Sequence, residues 1–143
     1  AAELPDGPLV GVVVANELLD NLPFDLTRDG RPFDPAGDWP EIGLAPQQDR
    51  ARAWVEAVLG RLHGRLVVLD YCSTTAAMAA RPWNEWLRTY RGHDRGGHPM
   101  DHRGEQDITA EVAVDQLPAP DEDIAQADWL RSISARARAC STS

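Results

Sequence analysis

The chain has 143 residues, 43% of them hydrophobic, which suffices for one packed domain and is short for two. A formal charge of −9 argues against a general nucleic-acid or anionic-membrane binder, because both need clustered positive charge. No apolar run approaches the roughly 20 residues that span a bilayer, and no secretory signal pattern is visible, so a cytoplasmic setting is the expectation.

Every basic side chain is arginine, which, with the abundant Ala, Gly, Pro and Asp, fits a high-GC bacterial coding bias. The two cysteines, Cys72 and Cys140, are distant and form no CxxC pair, so no disulfide framework or thiolate metal site is expected. Leu9–Ala15 is a continuous β-branched run and predicts a parallel strand buried on both faces. It ends in the polar pair Asn16-Glu17, followed by Leu18, Leu19 and Asp20. Over 21–45, Pro and Gly punctuate the chain, and Asp29-Gly30 suits either a hairpin turn or an irregular loop.

Pro46–Leu62 predicts an amphipathic helix with Trp54, Val55, Val58, Leu59 and Leu62 on its apolar face. Pro46 suits its first turn and Gly64 its stop. Leu66–Asp70 reads as a second buried strand, which completes a βαβ unit. A short helix is expected over Ala76–Ala80. Pro82 restarts another, with Trp83, Trp86, Leu87 and Tyr90 at helical spacing. Arg91–Gly104 reads as a loop. Asp107–Asp115 alternates, with Ile108, Ala110, Val112 and Val114 on one face, and predicts a single half-covered strand. An acidic linker over 118–123 leads to a helix over about 124–138, and residues 139–143 are expected to fray.

Ligands of open parallel sheets bind beyond the carboxyl ends of the strands. The sequence puts Asn16, Glu17 and Asp20 after the first strand, and Asp70, Tyr71 and Cys72 after the second. A carboxylate there can hold a cationic group by charge-assisted hydrogen bonds. Equally, Asn16 suits a turn and Glu17 the first turn of a helix.

The segment ANELLDNLPFD resembles the strand-four signature of the MidA family of S-adenosylmethionine-dependent methyltransferases, which includes the mitochondrial complex I assembly methyltransferase. The likeness continues in GRLVVLDY, RPWNEWLRTYRGH, GEQDITAEVAVDQL and QADWLR, in order from Gly11 to about Arg131. This resemblance implies an α/β fold of the class I, Rossmann-like kind, with Leu9–Ala15, Leu66–Asp70 and Ile108–Val114 as strands four, five and six. It implies S-adenosylmethionine as cofactor, no metal, and a protein substrate methylated on an arginine side chain. Glu17 would orient the acceptor guanidinium, and Asn16 would face both donor and acceptor. Asp20, Tyr71, Tyr90 and His93 would line the acceptor side.

No glycine-rich turn after a buried strand is present, and strands one to three have no counterpart. The expectation is therefore the carboxyl-terminal half of a methyltransferase domain over 1–138, with 21–45 as an insertion, inactive by itself. A stand-alone, non-catalytic interaction module that kept the acceptor surface is the alternative. Either way the strand over 9–15 should present an open edge, to be met by a missing amino-terminal half or by self-association. His93, His98 and His102, with Asp94 and Asp101, have enough ligands for a metal but no periodic scaffold. Trp83 and Trp86 are expected to pack in the core, and Cys72 to be a small apolar filler.

Overall fold

The computed structural model describes residues 4–140. Strand β1 (Leu9–Asn16) lies parallel to β5 (Leu62–Leu69), in register from Leu9 opposite Leu62 to Asn16 opposite Leu69. Between them come β2 (Asp25–Arg28), β3 (Arg31–Pro32), β4 (Leu44–Gln47) and helix α1 (Asp49–Leu59). Then follow β6 (Cys72–Ser73), α2 (Thr75–Ala79), α3 (Trp83–Trp86), β7 (Leu87–Arg91), β8 (Asp94–Arg95), β9 (Asp107–Ala110), β10 (Val112–Ala113) and α4 (Gln126–Cys140). The fold is mixed α/β. Parallel pairs β1–β5 and β6–β10 sit beside antiparallel sheets ordered β3-β2-β4 and β8-β7-β9.

The βαβ unit forms as read, but its strands are covered on one face only. Residues paired in parallel point to the same side, so Val13, Ala15, Leu66 and Val68 share a face. Leu66 and Val68 pack on Ala51 and Val55 of α1 and on Leu19 and Val112. The opposite face is bare: Val10, Val12 and Val14 are 84%, 65% and 59% exposed. The expected burial on both faces fails because α1 supplies one covering layer and the described residues supply no second. Strand β1 pairs with β5 alone among the described residues, which leaves its other edge open.

The start and stop of α1 also move inward. Pro46 is a buried residue of β4, paired with Leu26, and the helix begins at Asp49. An edge strand tolerates proline because no ladder donor is needed on its outer side. The helix closes at Gly60, and Gly64 lies inside β5 opposite Gly11, whose backbone leaves no room for a Cβ there. Leu62 begins the strand, and Leu59 is 48% exposed, so the buried face is Ala51, Val55 and Val58.

The Asp29-Gly30 turn closes the β2–β3 hairpin with φ of 51° and 73°, the left-handed pair that a two-residue hairpin turn requires. Thr74 caps α2, its Oγ1 accepting from the Ala77 amide at 3.2 Å. The helix read through Tyr90 lasts only one turn. Leu87–Arg91 is instead a strand, with Leu87 and Thr89 buried at period two and Leu87 opposite Ala110. The single strand over 107–115 breaks at Glu111, whose amide donates to the Trp86 carbonyl at 2.9 Å. Its first part pairs antiparallel with β7 and its second part parallel with β6. Within 91–104, β8 adds a short hairpin to the expected loop. Helix α4 runs through Cys140, and tail residues 141–143 lie outside the described residues.

Two clusters make the core. Leu26, Leu44, Met78, Trp86, Leu87, Ala110 and Ala113 form one, with Trp83 and Trp39 against it. The second joins Leu19 and Val112 to α1 and β5. Between them Gln48, 2% exposed, bridges the backbone: its Nε2 donates to the Glu111 carbonyl at 3.1 Å and its Oε1 accepts from the Ala113 amide at 2.7 Å.

Candidate functional site: a carboxylate cluster at the strand ends

The parallel pairing of β1 and β5 brings Asn16 level with Leu69, so the two chains emerge side by side. Asn16 and Glu17 are exposed there. The Glu17 amide donates to the Leu69 carbonyl at 2.8 Å, which extends the ladder one residue past the strand. Glu17 then turns with φ of 47°, a left-handed conformation that costs a residue with a Cβ about 1 kcal/mol or more. The Asn21 side chain clamps this turn, its Nδ2 donating to the Glu17 carbonyl at 3.0 Å and to Asp20 Oδ1 at 2.8 Å. The Glu17 side chain is thereby set at the mouth of the strand ends by backbone geometry.

Asp70 organises the other side. Its Oδ2 accepts from the amides of Leu19 at 3.0 Å and Asp20 at 3.4 Å, and its Oδ1 accepts from the Tyr71 amide at 2.9 Å. These bonds tie the single 3-10 turn over Leu19–Asn21 to the end of β5. Asp20 is buried, and its carboxyl is pushed from 3.8 to about 6, by burial first and by the Asp70 charge second. Burial also raises Asp70, against the pull of its three amide donors. Three carboxylates thus crowd one strand-end site, and Glu17 raises both aspartates further. A cation brought here would favour the ionised forms of the two aspartates.

Tyr71 continues from Asp70. Its carbonyl accepts from the Val112 amide at 2.7 Å, and its ring, 54% exposed, has the Arg88 guanidinium 5.2 Å from its centroid. Arg88 is steadied in turn by Glu111, 3.8 Å away, which also holds Arg81 at 2.7 Å. Tyr90 lies on β7 opposite Asp107 and Arg95, with the Arg95 guanidinium 5.9 Å from its ring. Strand β9, its neighbour, packs against the Leu19–Asn21 turn. His93 is exposed at the β7–β8 turn, and among the described residues no hydrogen bond or ion pair joins it to the carboxylates. The structure therefore brings Asn16, Glu17, Asp20 and Tyr71 together around Asp70, sets Tyr90 one strand away, and leaves His93 outside.

Asp70 is the organiser that the sequence reading named only as a strand-end residue. The signal available was its place directly after an apolar run, the same signal that marked Asn16. Cys72 is exposed, not an apolar filler. Trp86 is fully buried, while Trp83 meets Trp39 at 5.0 Å and His98 at 5.3 Å, edge to face. His98 accepts from the Met100 amide at 3.2 Å, and His102 lies 3.8 Å from Glu105, so two of the three histidines have separate structural contacts.

The fold is similar to two solved proteins of the COG1565 superfamily, both from Burkholderia thailandensis. One is a candidate methyl transferase bound to S-adenosyl-homocysteine, 28% identical over 81% of this chain with a TM-score of 0.59. The other is an uncharacterized protein of that superfamily, 27% identical over 80% of this chain with a TM-score of 0.58. The chain spans 38% of the length of each. No protein-family model and no curated protein matches the chain.

Proposed function

We propose that this chain forms the acceptor side of an S-adenosylmethionine-dependent methyltransferase of the MidA kind, with a protein arginine as acceptor. The observation that carries the reading is the Glu17, Asp20 and Asp70 cluster at the ends of two parallel strands, in a fold similar to one crystallised with S-adenosyl-homocysteine. In this reading Glu17 orients the guanidinium and favours lone-pair density on the attacking nitrogen. The donor, when bound, supplies an electrophilic methyl group, so the chain's own part is alignment. Asn16 offers both a donor and an acceptor at the same mouth. Asp20, Tyr71 and Tyr90 are proposed to shape the acceptor side, with His93 outside the cluster. Residues 1–143 hold no glycine-rich donor loop, so transfer needs polypeptide beyond them.

A labelled-methyl assay tests this reading. The chain alone should incorporate no label from S-adenosylmethionine, whereas the longest natural polypeptide that carries it should label arginine in a protein acceptor. Label on another residue type would remove the arginine assignment, and transfer by the chain alone would remove the division of the site. The bare valine face favours a second reading, a non-catalytic interaction module. That reading expects partner binding and no label from either polypeptide.

A further inference from the structure

The β2–β3 hairpin carries a feature that the methyl-transfer reading does not use. Its register sets Arg28 directly opposite Arg31 across the Asp29-Gly30 turn. Side chains paired in this way leave the same face of a hairpin, and like charges so placed repel. The fold does not relieve that repulsion. Arg52, Arg81, Arg88, Arg91 and Arg131 each meet a carboxylate within 4.0 Å, but among the described residues neither Arg28 nor Arg31 does.

Beside the pair lies an open concavity of about 610 Å³. Arg28, Asp29, Arg31, Pro32, Phe33, Asp34 and Gly37 line it. The apolar wall is fixed in place. The Phe33 amide donates to the Leu26 carbonyl at 2.8 Å, and its ring meets Trp39 edge to face at 5.7 Å. Trp39 Nε1 donates to the Pro35 carbonyl at 2.9 Å, so the wall and its loop brace one another. Asp34 is committed to its own turn, its Oδ1 accepting from the Ala36 amide at 2.9 Å.

We infer that this concavity binds a phosphate monoester carried on an aromatic or apolar body. The phosphate would bridge the two guanidinium groups, and the body would lie on Pro32 and Phe33. Two guanidinium forks present more N–H donors than a single carboxylate can accept, whereas a tetrahedral dianion can engage both. The site is separate from the strand-end carboxylates and stands or falls without them.

Amide NMR titration of the 143-residue chain with phenyl phosphate tests this, with inorganic phosphate and phenol as controls. Saturable shifts should fall on residues 26–37 and be at least about tenfold tighter for phenyl phosphate than for either control. The double variant Arg28→Gln, Arg31→Gln should weaken phenyl phosphate at least about tenfold with the rest of the spectrum unmoved. Arg28→Lys with Arg31→Lys should restore only part of the binding, because an ammonium lacks the planar fork. Non-saturating or scattered shifts, or equal binding by the double glutamine variant, would overturn the site. Equal affinity for inorganic phosphate would overturn the part given to the apolar wall.

Discussion

Asp20→Asn isolates the cost of crowding carboxylates at the strand ends. Asp20 is 8% exposed and its carboxyl titrates near 6 rather than 3.8, through burial and the charge of Asp70. Its folded pKa lies above its unfolded one, so the native state holds the proton more tightly. The stability this provides is fully present below about pH 4 and is lost as the pH rises through about 6. About two pKa units at 1.36 kcal/mol each give an upper value near 3 kcal/mol at pH 7.5, and water reaching the turn reduces it to roughly 1–3. Asparagine removes the charge and keeps an oxygen for the Asn21 side chain. The variant should therefore be about 1–3 kcal/mol more stable than wild type at pH 7.5 and converge with it near pH 4. Urea unfolding followed by circular dichroism from pH 4 to 8 measures this directly. No gain at pH 7.5, or parallel pH profiles, would refute the electrostatic reading. In the proposed reading, a cationic acceptor would offset this cost on binding, an exchange of stability for function.

Other expectations rest on single contacts. Gln48→Ala should cost about 2–4 kcal/mol, because it strips partners from the part-buried Glu111 carbonyl and the buried Ala113 amide; an unmoved urea midpoint would contradict it. Glu17→Gly should raise stability by about 1 kcal/mol in thermal melts, since glycine accepts the left-handed φ without a Cβ clash. A lower melting temperature would remove strain from the account. The open β1 edge and bare valines predict association above monomer mass in light scattering, reduced by Val12→Glu. A wild-type chain that stays monomeric over a concentration series would rule this out.

The elements legible in the sequence were those fixed by local chemistry. The Val10–Val14 run and the Val55/Val58 helix face each announce a period without help from distant residues, whereas Asp29-Gly30 leaves a hairpin turn and an irregular loop equally open. Leu87–Arg91 did not, because Trp83, Trp86, Leu87 and Tyr90 satisfy helical spacing while Leu87 and Thr89 also satisfy period two. Pairing with Ala110 and Ile108, far along the chain, decides between them. Nothing local marks Gln48 as a buried bridge, since its partners lie more than 60 residues away. Half of the candidate site was legible for the same reason. Asn16, Glu17 and Asp70 follow apolar runs directly, but the hydrogen bonds from Leu19 and Asp20 to Asp70 cross about 50 residues. The bare valine face is not legible because a continuous β-branched run implies two covering layers, and among the described residues α1 supplies one.

In the proposed reading Glu17 faces a methyl acceptor at the ends of β1 and β5. The most direct test is methyl transfer by Glu17→Gln in the longest natural polypeptide carrying this chain, with donor affinity measured by calorimetry on the same sample. The account predicts a loss of turnover of about a hundredfold or more, with S-adenosylmethionine binding within about threefold of wild type. Turnover retained by Glu17→Gln would contradict it.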